Sequence, residues 1–321
     1  MSDLAVGGQA VIEGVMMRSD DRIVTAVRTP SGEIKVKSDP FISLTKSHKI
    51  LGLPIIRGVV SFVEMLVVGI KSITFSADIA VNEAEKEEAF RNGQIYEEYQ
   101  RKNSSWLLAG TVIIALSLGI LIFFFLPLLF SSLLHIKKDA LSFNLVAGLI
   151  RVIMFILYVW AISLLGDFKR VFAYHGAEHK SIFAFESGAT LTPEEVVNYS
   201  RRHPRCGTNF ILIVAIFAIL VYSISDTIYA IVTGHPPVLL VRFGIHFLLL
   251  PIVAGTSYEL LKLSGRTRQS RITKIMIAPG LWLQNITTRE PSHDQLEVAI
   301  VALETAMNIT DSKLSVKRQF I

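Results

Sequence analysis

Residues 106–134 read WLLAGTVIIALSLGILIFFFLPLLFSSLL, an apolar run without a single charge. A bilayer's hydrocarbon core takes roughly 17–25 helical residues, so this run is long enough to span one. Pro127 is its only interruption, and a proline can kink a lipid-exposed helix without destroying it. Three further apolar stretches, 145–165, 210–232 and 238–256, reach similar length. The fold class expected is an α-helical integral membrane protein with about four transmembrane helices. In 321 residues, 51 % are apolar and the mean hydropathy is +0.49, and that positive hydropathy excludes an ordinary soluble protein. A single Cys excludes intramolecular disulfides, and a net charge of +5 is small for a nucleic-acid binder. The partners expected are therefore the lipid bilayer and a membrane-protein partner or a second copy of the chain, with no nucleic acid.

Loop charges set the expected orientation. Of the two connections on one side, 135–143 holds Lys137 and Lys138 and 233–237 holds no Lys or Arg. The opposite side carries Lys169, Arg170, Lys180, Arg201, Arg202, Arg205, Lys262, Arg266, Arg268, Arg271 and Lys274 near span ends. The positive-inside bias puts that side, with both termini, in the cytoplasm of a cell membrane. Residues 1–14 carry Asp3 and Glu13 and lack the basic start and apolar run of a cleavable signal.

Residues 50–77 are ambiguous. Arg57, Glu64, Lys71 and Asp78 recur every seven residues and form one stripe on a helix. The segment reads either as an interfacial amphipathic helix or as a re-entrant one lining a polar cavity. Residues 5–38 read as short strands with turns at 19–21 and 30–32, and 82–105 as a solvated, charged helix. In the tail, 272–277 reads as a strand before a turn at Pro279 and Gly280. Ser292 and Gln295 mark a helix start, with Leu296, Ala299, Ile300, Leu303 and Met307 on one face of the helix. A small α+β cytoplasmic domain built from both termini is the economical reading. The expected organisation is 1–50 β-rich segment, 51–105 amphipathic or re-entrant helix and linker, and 106–166 first transmembrane hairpin. It continues with 167–209 His-rich cytoplasmic loop, 210–262 second hairpin and 263–321 C-terminal segment.

The strongest chemical signal is His175-Gly176-Ala177-Glu178-His179. Two His four residues apart share a helix face and can converge on one ion, as zinc requires. Glu178 stands where a general base of an inverted zincin motif would stand. The helix of the second span is expected to continue through Glu186, which would set this motif just beyond the membrane. His203, Cys206 and Glu259 are the candidates to complete the ligand set. Three ligands describe a catalytic site and four a structural one, and spacing alone leaves both open. A second group, Arg151, Asp226, Arg242 and His246, lies inside the spans, where charges are costly and pair with one another. A structural salt bridge of Asp226 with Arg151 or Arg242 is one reading, and a polar pathway through His246 the other.

The chain resembles the YqhQ-like family of uncharacterised bacterial multi-pass membrane proteins. The resemblance rests on GGQAVIEGVMMR at 7–18, PIIRGVV at 54–60, YHGAEHK at 174–180, HPRCGTNF at 203–210 and APGLWLQ at 278–284. It implies a metal-dependent protein in which Glu13 and Arg18 belong with the His-rich loop; Arg205, within that loop, is a further candidate to support the site or meet the substrate. Three functions follow as expectations: a zinc-dependent hydrolase acting on a membrane peptide or lipid-linked substrate, a non-catalytic scaffold or chaperone of a membrane assembly, and a transporter.

Overall fold

The computed structural model describes residues 6–93, 105–134, 139–204, 206–266, 270–310, 313–314 and 316–321. Near the N-terminus, β1 (Gly7–Val11), β2 (Gly14–Arg18), β3 (Arg22–Arg28) and β4 (Ile34–Pro40) form an antiparallel meander. The C-terminal β5 (Arg318–Phe320) adds to it, parallel to β4. Pleating sends alternate side chains to opposite faces. Val15, Met17, Val24, Ala26, Ile34 and Val36 share one core, while Met16 and Val27 belong to another on the opposite face.

Both faces are covered. On the first lie α6 (Gly166–Glu186), α7 (Pro193–Val196) and α11 (His293–Ala306). Helix α11 is apolar on nearly every side, from Leu296 through Ala306, and is accordingly buried all round rather than on one face. Its start is fixed locally, for Ser292 and Gln295 form the reciprocal capping box expected from their spacing. On the second face lies α2 (Ile56–Arg91), preceded by the short α1 (Leu44–Ser47).

Helix α3 (Ser105–Ile120), a π-helical turn (Leu121–Phe125) and α4 (Leu126–Leu133) make one rod. Helices α5 (Ala140–Ser163), α8 (Gly207–Thr233) and α9 (Leu239–Arg266) complete the bundle, and α10 (Arg271–Thr287) packs on α8 and α5. Among the described residues, five helices are long and apolar enough to cross a membrane: Ile56–Arg91, Ala109–Leu133, Ala140–Ser163, Ile213–Thr233 and Leu239–Leu263. The last four contain most of the stretches read as spans, so α2 is a fifth candidate beside the expected four.

Two other expectations are corrected. The second span does not run on as one helix through Glu186. Leu165 is extended, and the chain breaks between α5 and α6, where the Arg289 guanidinium caps the freed Ser163 carbonyl at 3.0 Å. Residues 272–277 are helical, not a strand, because a short apolar run suits either element and packing against α8 decides. The helix expected over 82–105 is the continuation of α2 as far as Arg91, and 94–104 lie outside the described residues.

Candidate functional site

Helix α6 presents His175 and His179 on one face, their ring centroids 4.4 Å apart. Each ring is oriented through its Nδ1. His175 Nδ1 lies 2.8 Å from the Thr287 carbonyl, and His179 Nδ1 lies 2.6 Å from the Arg201 carbonyl. A carbonyl only accepts, so in both rings Nδ1 carries the bonding proton, and in a neutral ring Nε2 is then the nitrogen with the lone pair. These outer bonds are the arrangement that orients metal-ligating His in known sites. Cys206, at the cap of α8, brings its Sγ to 3.3 Å from His175 Nε2. One ligand atom from each of His175, His179 and Cys206 lies within 4.8 Å of the other two. Zinc bonds of about 2.0–2.3 Å separate tetrahedral ligands by roughly 3.5 Å, close to the 3.3 Å between Cys206 Sγ and His175 Nε2, and two imidazoles and a thiol are donors of the type zinc takes. His179 is fully buried, and that burial pushes its pKa down, which favours the neutral ligand form.

Gly176 lets this face form. A Cβ there would sit 2.0 Å from the Arg289 carbonyl oxygen, so α6 and the 288–291 link touch backbone to backbone. In the same contact, the Arg289 N–H donates to the Phe172 carbonyl at 2.8 Å.

Glu178 is buried against the Gly8 backbone of β1. Desolvation pushes its pKa up to about 7, against the opposing charge of His175. Its Oε2 has no hydrogen-bond partner among the described residues. His203 is buried beside His179 with ring centroids 5.8 Å apart, outside the ligand triangle, and its Nε2 faces Glu186 at 3.7 Å.

Several expected members stand elsewhere. Glu259, a candidate third ligand, is bound by the Arg57 guanidinium of α2 and is not in the triangle. Glu13 pairs with Arg170 at the start of α6, at the tip of the β1–β2 hairpin. Arg18 lies on the opposite face of the sheet, over the Phe41 ring and against Met65 Sδ at 2.8 Å. Arg205 lies outside the described residues. Gln284 was not expected. It clamps the His203 backbone, accepting from its N–H at 2.7 Å and donating to its carbonyl at 2.9 Å. Its signal was its place at the end of the 278–284 motif.

Inside the bundle, Asp226 accepts from Asn144 Nδ2 at 2.8 Å and meets Arg242 Nε at 2.9 Å and His246 Nε2 at 3.0 Å. Tyr222 stacks on His246, and Arg242 lies over the Phe143 ring. Asn144 and Tyr222 carry no charge, so sequence inspection for buried ions passes over them. Arg151 is not the partner of Asp226. Pro127 has no N–H for the carbonyl four residues back, and Arg151 Nε donates to that Phe123 carbonyl at 2.9 Å. Arg151→Ala is expected to cost about 1–3 kcal/mol, the penalty of a stranded buried carbonyl. The loss should shrink in a Pro127→Ala background, which restores the missing donor. Equal losses in thermal unfolding of the two backgrounds would disconnect Arg151 from the proline.

Fold and site together define a class: a mostly helical, multi-pass type of protein with a small sheet and a His/Cys cluster beside the bundle. Within that class, the profile of the family described as "Protein of unknown function (DUF1385)" matches residues 53–309, and the chain belongs to this YqhQ-like family. It is similar to "Uncharacterized protein YqhQ" of Bacillus subtilis (strain 168), with 33% identity over 313 residues, covering 95% of this chain and 93% of that protein. No solved structure matches.

Proposed function

We propose that this is an integral protein of the cell membrane that carries a divalent transition-metal site, of the zinc type, at the cytoplasmic membrane face. His175, His179 and Cys206 would hold the ion and leave a fourth position open, the pattern of a catalytic rather than a closed site. One observation carries the reading: both Nδ1 protons are tied to backbone carbonyls, so two Nε2 lone pairs and a thiol face one another. Such an ion supplies Lewis acidity toward a substrate carbonyl or phosphoryl oxygen. Glu178, whose pKa is raised to about 7, would be the acid–base group, holding or releasing a proton at Oε2. The reaction class is hydrolysis of a membrane peptide or lipid-linked substrate. The cytoplasmic placement rests on the cations around α6 and the ends of α8 and α9.

A structural clip within a membrane assembly is the second reading. It is favoured by the Glu178 carboxyl lying under Gly8 and outside the ligand triangle. Purified protein is expected to hold about one zinc per chain, and a His175→Ala, His179→Ala variant to hold background metal only. Equal, negligible zinc in both proteins would end the metal proposal. Glu178→Gln is expected to keep the metal and fail to complement a deletion strain. Full complementation by Glu178→Gln would leave the clip.

A further inference from the structure

Five helices among the described residues are long and apolar enough to cross a membrane, yet the sheet allows only an even number of crossings between its parts. Strand β4 ends at Pro40 and pairs with β5, and α6 packs on β1 and β2, so all of these lie on one side of a bilayer. Between β4 and α6 the chain has three candidates: α2, the α3–α4 rod and α5. An odd number of crossings there would put α6 on the wrong side. Between α6 and α11, which also packs on the sheet, there are two candidates, α8 and α9, and the parity is satisfied.

Helix α2 is the one that cannot cross. From Gly69 to Glu83 its inner face is spent on the sheet, and its first turns pack on α9. Gly69 accepts from Gln9, Ser72 bonds Thr25 at 3.2 Å, Ser76 Oγ accepts from the Ile12 N–H at 3.2 Å, and Glu83 pairs with Lys35 at 3.1 Å. Hydrocarbon cannot accommodate a sheet with polar groups and open strand edges beside that face. An adjoining face is apolar and bare, with Phe62, Val63, Leu66, Val67 and Ile73 between 38% and 51% exposed. On a helical wheel it is centred roughly 105° from Gly69, Ser72, Ser76 and Glu83, and the Arg57, Glu64, Lys71 and Asp78 stripe runs along its far flank. The bare face continues onto the bundle surface. The Phe62 ring of the bare face meets Phe210 of α8 at 6.2 Å, while Gly58, in line with the sheet-facing residues, abuts Gly255 and Tyr258 of α9.

We infer that α2 lies on the membrane surface, its bare face seated in the headgroup–acyl boundary of the leaflet beside the sheet, and that the chain crosses four times. The occupant of this face is lipid, because the face is continuous with the surface of the bundle that the bilayer would surround. The inference rests on the membrane reading above and is tested beside controls for it. In full-length protein in phosphatidylglycerol/phosphatidylcholine vesicles, an environment-sensitive fluorescent amino acid replaces Leu66 or Ile73 of α2, or Ile153 of α5 or Ile224 of α8. Lipids brominated near the headgroup should quench at 66 and 73 about twofold more than lipids brominated near the chain ends, matching a helix buried about 5–10 Å deep. The order should reverse at 153 and 224. Deepest quenching at 66 and 73 would make α2 a true span and overturn the inference. No lipid quenching there, with the controls intact, would give the face to a protein partner or a second copy and overturn it equally. Failure of the controls themselves would bring down the membrane reading, and this one with it.

Discussion

Asp226→Ala is expected to be among the most damaging single substitutions in this chain. The carboxylate is 1% exposed and gathers Asn144, Arg242 and His246 from two neighbouring helices. Its loss strands the Arg242 guanidinium, itself 3% exposed, without its counter-ion. Breaking one side of a buried ion pair costs about 3–5 kcal/mol, because the remaining charge is uncompensated. The measurement is thermal unfolding in detergent, together with the monodisperse yield. Asp226→Asn should fall between the wild type and Asp226→Ala, since it keeps an acceptor while losing the charge. An Asp226→Ala, Arg242→Leu double variant should recover part of the loss, since an apolar pair carries no unpaired ion. A double variant no better than the single would mean that the ion pair is not what makes Asp226 necessary.

Gly176→Ala is the second. A methyl group at this position meets the Arg289 carbonyl oxygen at 2.0 Å, a backbone atom that cannot rotate away. Helix α6 must then move off the 288–291 link. Overpacking of this kind costs about 1–3 kcal/mol. The larger consequence is for the cation site, because the preceding residue, Thr287, supplies the carbonyl that orients His175. Loss of an outer orienting bond lowers metal affinity about 10–100-fold in known sites. Competitive chelator titration should therefore show weaker zinc binding in Gly176→Ala although no ligand has changed. Gly166→Ala, at the start of the same helix with open space around it, is the control and should bind as the wild type does. Equal affinity in Gly176→Ala would break the link between this close approach and the site.

What could be read along the chain was set by short-range physics. The apolar runs are visible because a bilayer demands length and composition from one contiguous segment. The capping box at Ser292 and the short apolar runs of β2 and β3 between their turns are likewise satisfied within a few residues. His175 and His179 could be paired on paper because four residues are nearly one helical turn. The third member of the cluster could not. His203, Cys206 and Glu259 were equal on residue type, and Cys206 meets His175 because the break at Leu165 and the start of α8 bring those two elements together. Glu259 is taken by Arg57, two hundred residues away in sequence, where glycines let α2 and α9 touch.

The long apolar runs, the strands near the N-terminus, the cap at Ser292 and the pairing of the two imidazoles were thus determined by the sequence itself, since each depends on neighbours along the chain or on the solvent around it. The partner of Arg151, the thiol beside the imidazoles, the helical form of 272–277 and the seat of α2 against the sheet were decided only in three dimensions. Each depends on which surface of a remote element arrives, and packing of side chains from distant parts of the chain sets that.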